Sequence, residues 1–297
     1  MPERLRRLLL QVLAAGAALA AISGIYSLYK VIGRALDDGQ RDWWFIGTFL
    51  PRSTDRDMPP IRDIISEFNK PLREGGPELI NLIWDASLFT LREALAGFVL
   101  GVIIGMAIAI LLLRSRTLEK GTMPYVIASQ TVPLIAITPI IVIWGRKNFG
   151  FLPWEWQDWM SVSLIAVYLT FFPVAVNGLR GLQSPDPDAK ELMDSYAAGW
   201  WQTLWRLRLP ASLPYLFPAF KIAALASIIG AIVGEISAAQ SDGIGYLILD
   251  FASKYSTGPE RLYASIIGAA VLGLLAAAVI TLAEFAILVR RRQATRS

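Results

Sequence analysis

At 297 residues, 55% apolar and only 18% charged, the chain has the composition of a membrane protein. Cysteine and histidine are both absent, which excludes a disulfide framework, a thiolate nucleophile, and imidazole as metal ligand or proton shuttle. The net charge of +4 is modest and gathers at the ends of apolar runs, a pattern that argues against nucleic-acid binding. Uncharged runs at 8–29, 94–113, 121–145, 159–179 and 262–283 each reach the roughly 18–20 residues needed to cross a bilayer core. A sixth, 220–239, is interrupted by Lys221 and Glu235. An all-α integral membrane protein with six transmembrane helices is therefore expected, since an open sheet would leave backbone groups unpaired in lipid.

In chain order, Arg4, Arg6 and Arg7 precede the first run and place the N-terminus in the cytoplasm by the positive-inside rule. A cleaved signal peptide is the competing reading, but the run is long for one and Ser23-Gly-Ile-Tyr26 is a poor cleavage site. Residues 1–30 thus form a short tail and first span, and 31–85 an external segment. In that segment Trp43, Trp44 and Phe45 suit the headgroup level. After Met58-Pro-Pro60, the residues Ile61, Ile64, Ile65 and Phe68 make one apolar face, which fits either an interfacial helix or an ordinary surface helix. Gly75-Gly-Pro77 ends it.

Residues 86–292 hold the remaining five spans, followed by a cytoplasmic tail at 293–297. The second span carries Gly97, Gly101 and Gly105 four apart, a smooth face for close helix packing. Arg114, Arg116 and Lys120 then mark a cytoplasmic turn. Pro124, Pro133 and Pro139 interrupt the third span, among Gln130, Thr131 and Thr138. Such a helix either breaks to line a cavity or merely kinks, and both readings stay open. Trp154, Trp156 and Trp159 form an outer aromatic belt, and the fourth span, with Phe171, Phe172, Pro173 and Asn177, returns inside. The fifth span has Gly230 and Gly234 on one face, with Ser227 nearby. Lys221 is expected to snorkel. Glu235, about 21 Å further along, is either a functional carboxylate or a structural one paired to a neighbour. Arg290, Arg291 and Arg292 place the C-terminus inside.

The polar loop at 180–210 reads as two short helices. Asp188 sits at an N-cap position with Glu191 three residues on, which predicts a helix over 189–198 that Gly199 stops. A second helix begins at Trp200 and ends at Pro210, with Trp201, Leu204, Trp205 and Arg208 on one stripe that could bury against a partner.

These residues resemble a family. Met58-Pro-Pro-Ile-Arg-Asp-Ile64, Thr90-Leu-Arg92 with Gly97-Phe98, Thr131-Val-Pro133 through Trp144-Gly145, Glu191 to Pro210, and Gly243-Ile-Gly-Tyr-Leu-Ile248 are similar to the permease subunit of a bacterial binding-protein-dependent ABC importer. The group is that of nitrate, sulfonate and taurine permeases, together with permeases for thiamine-precursor pyrimidines and riboflavin. The resemblance implies a type I importer permease with a MetI-like core, both termini in the cytoplasm, in the bacterial inner membrane. It implies as partners a second permease copy, two cytoplasmic ATP-binding subunits and an extracytoplasmic substrate-binding protein. ATP and magnesium would be bound by the ATPase, and this chain would hold no cofactor, no metal and no catalytic residue. It also implies an ATPase-docking loop using Asp188, Glu191, Asp194, Ala197, Gly199, Trp201, Arg206, Arg208 and Pro210. The family's loop signature is Glu-Ala-Ala followed by a glycine; here Leu192 and Met193 stand at the alanines and Ala197 at the glycine. The wording from Ser195 to Trp205 resembles the vitamin-precursor branch.

The residues themselves agree on one point: no Gly-x-x-x-x-Gly-Lys-Ser/Thr run is present, so the chain has no phosphate cradle of that kind. Candidates for the translocation path are Gln130, Thr131, Pro133, Thr138, Asn177, Ser227 and Glu235. Of the rival classes, a secondary transporter would also use a buried carboxylate such as Glu235, but would favour an internal repeat. A channel would need a filter sequence, and a membrane enzyme a cluster of ionisable residues.

Overall fold

A computed structural model describes residues 16–18, 20–33, 58–73, 75–148, 155–238 and 242–294, with side chains described as far as Ile287. The basic N-terminal arginines, Trp43, Trp44, Phe45, Trp154 and the side chains of Arg290 to Arg292 lie outside that description. The helices are α1 (Gly16–Gly33), α2 (Ile61–Glu67), α3 (Leu79–Leu113), α4 (Arg116–Ser129), α5 (Leu134–Asn148), α6 (Asp158–Gln183), α7 (Pro187–Ser195), α8 (Trp200–Ala238), α9 (Ile244–Ser253) and α10 (Pro259–Ala294). Five are long and apolar enough to span a bilayer, and six spans result when α4 and α5 count as one. Among the described residues the only β pairing is an isolated bridge between Pro71 and Glu78.

Two features depart from a reading by apolar runs. Helix α3 has 35 residues, about 52 Å at 1.5 Å per residue, well beyond a hydrocarbon core of roughly 30 Å. It begins far upstream of the uncharged run and carries Asp85, Arg92 and Glu93 within it. Helix α8, in turn, does not end at Pro210 but continues through Pro210, Pro214 and Pro218. The cause is a π-helical turn at Leu204–Arg208, where the Leu209 N–H reaches back five residues to the Leu204 carbonyl. A widened turn gives the Pro210 ring room beside the carbonyls it would otherwise strike.

Helices α4 and α5 meet at 93°. Pro133 supplies no N–H at the break, and Gln130, Thr131 and Val132 close it with short-range backbone bonds. The Tyr168 hydroxyl on α6 donates to the Ser129 carbonyl, one of the groups the break releases.

The chain divides into two compact units. The first comprises residues 1–82 and 250–265. There the Tyr26 hydroxyl donates to the Pro59 carbonyl at 2.9 Å. Glu67, buried, accepts from Lys70 Nζ at 2.8 Å and Arg261 Nε at 3.0 Å. Burial alone would raise the Glu67 carboxyl, but hydrogen bonds and charge from Lys70 and Arg261 outweigh it and hold the group below its ordinary value.

The second unit comprises residues 83–249 and 266–297, and α6 runs through its centre. Val162, Ile165, Ala166, Val174, Ala175, Leu179 and Leu182 are all sealed from solvent. Gly97, Gly101 and Gly105 of α3 lie against one side of α6: a Cβ there would stand 2.3 Å from the Ala166 Cβ, 2.5 Å from the Thr170 Cβ and 2.6 Å from the Phe171 carbonyl oxygen. Gly230 and Gly234 of α8 approach it too: a Cβ there would stand 2.9 Å from the Ala166 Cα and 2.9 Å from a Val162 methyl. Lys221 is not a simple snorkel: it pairs with Glu284 of α10 at 2.6 Å, so each charge has its partner inside the bundle. Trp156 and Trp159 are also engaged, the first donating to Ser161 Oγ at 2.8 Å and the second beneath the Arg92 guanidinium at 4.4 Å.

Two outcomes follow. Replacing Gly101 or Gly230 with Leu overpacks the α6 contact and costs at least about 1–3 kcal/mol. Thermal unfolding in detergent should show this as a lower midpoint, while Gly121→Ala, which meets nothing within 4 Å, leaves the midpoint unchanged or slightly raised. For Glu67 the folded carboxyl is depressed, so its stabilisation is present above the unfolded carboxyl range near 4.5 and is lost as pH falls through the folded value. Protease sensitivity of the segment around α2 should rise in that acid window, and Glu67→Gln should abolish the pH dependence.

Candidate functional site: a loop held to the bundle and a buried carboxylate clamp

The 180–210 loop leaves α6 through Ser184 and enters α7 at Pro187, the first helical residue, where a missing N–H is harmless. The proline moves the N-cap back to Asp186, whose side chain makes no capping bond, and Asp188 falls inside the first turn instead of capping it. Asp188, Glu191, Leu192 and Ser195, at i, i+3, i+4 and i+7, form an exposed ridge, whereas Ala189, Lys190 and Met193 are half-buried.

Helix α7 stops at Ser195, not at Gly199. The Ala198 N–H donates to the Met193 carbonyl and the Ala197 N–H to the Asp194 carbonyl, the paired bonds of a Schellman ending. Ala197 occupies the left-handed position with φ +51°. This is the residue at which the resembled loop signature carries glycine; alanine there costs roughly 1 kcal/mol. Gly199 serves as the extended residue before α8, its N–H donating to Gln202 Oε1 at 3.1 Å.

The expected stripe of Trp201, Leu204, Trp205 and Arg208 is divided. Leu204 is fully buried in a cluster with Ala109, Leu112, Leu179 and Leu182, which joins the loop to the ends of α3 and α6. Arg208 donates to the Leu182 carbonyl at 3.1 Å, near the C-terminal end of α6. Trp201 and Trp205 remain 60% and 65% exposed. Trp200 packs edge-on against Trp201 and lies under Arg114. Arg206 is exposed and Pro210 is half-buried. The loop thus presents one helical ridge and two tryptophans outward, and is anchored inward by one leucine and one arginine.

The second constellation surrounds Glu235, which is fully buried. The Thr90 hydroxyl donates to its Oε1 at 2.6 Å and the Gly245 N–H donates to its Oε2 at 2.7 Å. Thr90 also accepts from the Ile244 N–H at 2.9 Å, so α3, α8 and the start of α9 meet on one carboxyl group. Only glycine fits over it: a Cβ on Gly243 would lie 2.0 Å from the Glu235 carboxyl carbon, and one on Gly245 2.8 Å from Oε2. Glu93, one turn beyond Thr90 and fully buried, meets Glu235 carboxyl to carboxyl, and among the described residues no other group hydrogen-bonds to its oxygens. Reading by uncharged runs passes over Glu93 because such a run starts just after it, at Ala94. A carboxylate inside a longer helical pattern with Thr90 and Gly97 is the signal that finds it.

The other path candidates do not converge on Glu235 through any hydrogen bond. Thr138 and Ser227 are buried with their hydroxyls donating to Leu134 and Ala224 of their own helices. Asn177 donates to the Pro173 carbonyl at 2.8 Å. Thr131 and Pro133 are exposed at the α4–α5 break, and the Gln130 side-chain NH2 is buried there without a partner among the described residues. Among the described residues no group of three or more acidic side chains could hold a metal ion.

Residues 97–292 match the family described as the binding-protein-dependent transport system inner membrane component. The chain belongs to this family. It is 33% identical over 204 residues to a formylaminopyrimidine transport permease protein of Halalkalibacterium halodurans, covering 69% of this chain and 76% of that one. It is 31% identical over 195 residues to a putative aliphatic sulfonates transport permease protein of Bacillus subtilis, covering 66% of each chain. With a riboflavin transport system permease protein of Chloroflexus aurantiacus it shares 33% over 167 residues, 56% of this chain and 58% of that one. The protein is thus a multi-pass inner-membrane permease of an ABC importer, working with an ATPase and a substrate-binding protein. It is not itself an enzyme.

Ala197→Gly should relieve the left-handed strain and stabilise the permease by about 1 kcal/mol, read as a higher midpoint of thermal unfolding. Thr90→Val should leave Glu235 Oε1 and the Ile244 N–H unsatisfied, at roughly 1–3 kcal/mol for each group, and lower that midpoint.

Proposed function

We propose that this permease carries a vitamin or vitamin precursor of the pyrimidine or flavin class. The similarity that carries this reading is the one to the formylaminopyrimidine permease, 33% over 69% of the chain, against 24% for a taurine permease of Escherichia coli and 23% for a nitrate permease of Synechococcus elongatus. The aliphatic-sulfonate relative stands at 31%, so nitrate, sulfonate or taurine transport is the alternative solute class for the same machinery. In this reading a substrate-binding protein delivers the solute from outside to two permease copies, each engaged by an ATPase subunit that binds ATP and magnesium. The exposed ridge of Asp188, Glu191 and Ser195, with Trp201 and Trp205, is the surface on which the ATPase docks. Leu204 and Arg208 are the inward anchors through which docking moves α3 and α6. Gln130, Asn177 and Glu235 stand as path candidates under the same proposal.

Thermal-shift screening of the substrate-binding protein that serves this permease tests the solute. Aminopyrimidines or flavins should raise its unfolding midpoint and taurine or nitrate should not; the reverse pattern overturns the assignment. Glu191→Arg tests docking. With the fold intact, solute-stimulated ATP hydrolysis and uptake should part company, and normal coupled transport by that variant counts against the ridge as the docking surface.

A further inference from the structure

On the bundle side of α7, away from the exposed ridge, lies a cavity of about 620 Å³. Arg116 and Lys120 of α4, Lys190 of α7 and Arg208 of α8 line it. Glu119 is the single carboxylate in its wall, and it already accepts from Gln183 Nε2 at 2.9 Å. Arg208 is held to the Leu182 carbonyl, while among the described residues no group pairs with Arg116, Lys120 or Lys190. Four cations gathered around one engaged carboxylate make a local excess of positive charge that attracts an anion.

The position of the cavity says which anion. Leu113, the last residue of the uncharged run 94–113 of α3, which is long enough to cross a bilayer core, forms part of its wall. Leu111 and Leu118 beside it are 57% and 44% exposed. The recess therefore sits where an apolar surface gives way to charge, the depth at which a lipid phosphate lies. Basic pockets between helices at that level suit anionic headgroups, with Arg offering paired donors to phosphate oxygens. The ATPase is the less fitting occupant: Lys190 lines the recess and not the ridge formed by Asp188, Glu191, Leu192 and Ser195, and the exposed Leu111 and Leu118 lie two residues from lining Leu113 and Arg116 in the chain.

We propose that this recess is a binding site for a phosphate group at the membrane surface, supplied by the phosphodiester headgroup of an anionic lipid. The proposal does not depend on which solute is carried. The permease would be placed in phosphatidylcholine nanodiscs with and without phosphatidylglycerol, and retained lipid counted by native mass spectrometry alongside thermal unfolding. Phosphatidylglycerol should be retained and should raise the unfolding midpoint. The double variant Arg116→Gln, Lys120→Gln should bind it roughly thirtyfold more weakly, and Arg62→Gln, on the other unit, should bind it normally. If the double variant fails to fold in phosphatidylcholine alone, Lys120→Gln carries the same comparison with about a fivefold loss. Undiminished retention by a folded variant overturns the site. Inorganic phosphate that matches the stabilisation and displaces the lipid would assign the recess to a free anion and overturn the lipid source. Loss of the lipid on adding the ATPase subunit would assign it to the protein interface instead.

Discussion

Ala166 has glycine backbone pressed on it from two helices. Gly97 of α3 and Gly230 of α8 both come so close to it that a single added carbon at either position would overlap α6. Neither contact stabilises through size; both stabilise through the many weak attractions that two backbones gain when nothing larger than hydrogen separates them. Lipid offers no hydrophobic drive between helices, so this shape fit must supply much of what holds α3, α6 and α8 together. It also makes the three behave as one body, since close-packed contacts do not deform continuously.

That rigidity matters at both ends. At one end the Leu204 cluster fastens the α7–α8 loop to α3 and α6, and Arg208 ties it to the last turn of α6. At the other, Glu235 gathers Thr90 and the Gly243-Ile-Gly245 turn: α9 is held to α8 by the Gly245 N–H on the buried carboxyl and to α3 by the Ile244 N–H on the Thr90 hydroxyl. A displacement applied to the loop therefore has a packed route through the bundle to the Gly243 turn. An ATP-driven importer needs such a connection, because its engine is a separate subunit.

Most of this architecture is legible in the amino-acid order, and the exceptions have physical causes. The glycine spacing on α3 and α8 shows in the sequence as a step of four, and the proline at the α4–α5 break as a missing N–H, so both can be read locally although the glycines' partner helix cannot. Pro210 misleads because a proline ends an α-helix only while the preceding turn stays α, and a π turn at Leu204–Arg208 removes that condition. Asp188 misleads because Pro187 can itself be the first helical residue, which shifts the cap to Asp186. The stripe from Trp201 to Arg208 divides because it spans roughly 100° of helix surface: Leu204 and Arg208 lie on the half turned towards α3 and α6, and Trp201 and Trp205 on the half turned away. Glu93 escapes notice because spans sought as uncharged windows begin after it. Its neighbours, Thr90 and Glu235, are 145 residues apart, and no local pattern brings them together.

The loop's place in the cell is the point on which the functional account turns. A chain without cysteine lets one introduced thiol report it cleanly. Ser195→Cys, on the exposed ridge of α7, would be probed with a membrane-impermeant maleimide in intact spheroplasts and in inside-out vesicles, with and without the ATPase subunit. The account requires no labelling from outside, ready labelling in the vesicles, and protection once the ATPase is bound. Labelling in intact spheroplasts, or reactivity in the vesicles that the ATPase leaves untouched, would contradict it.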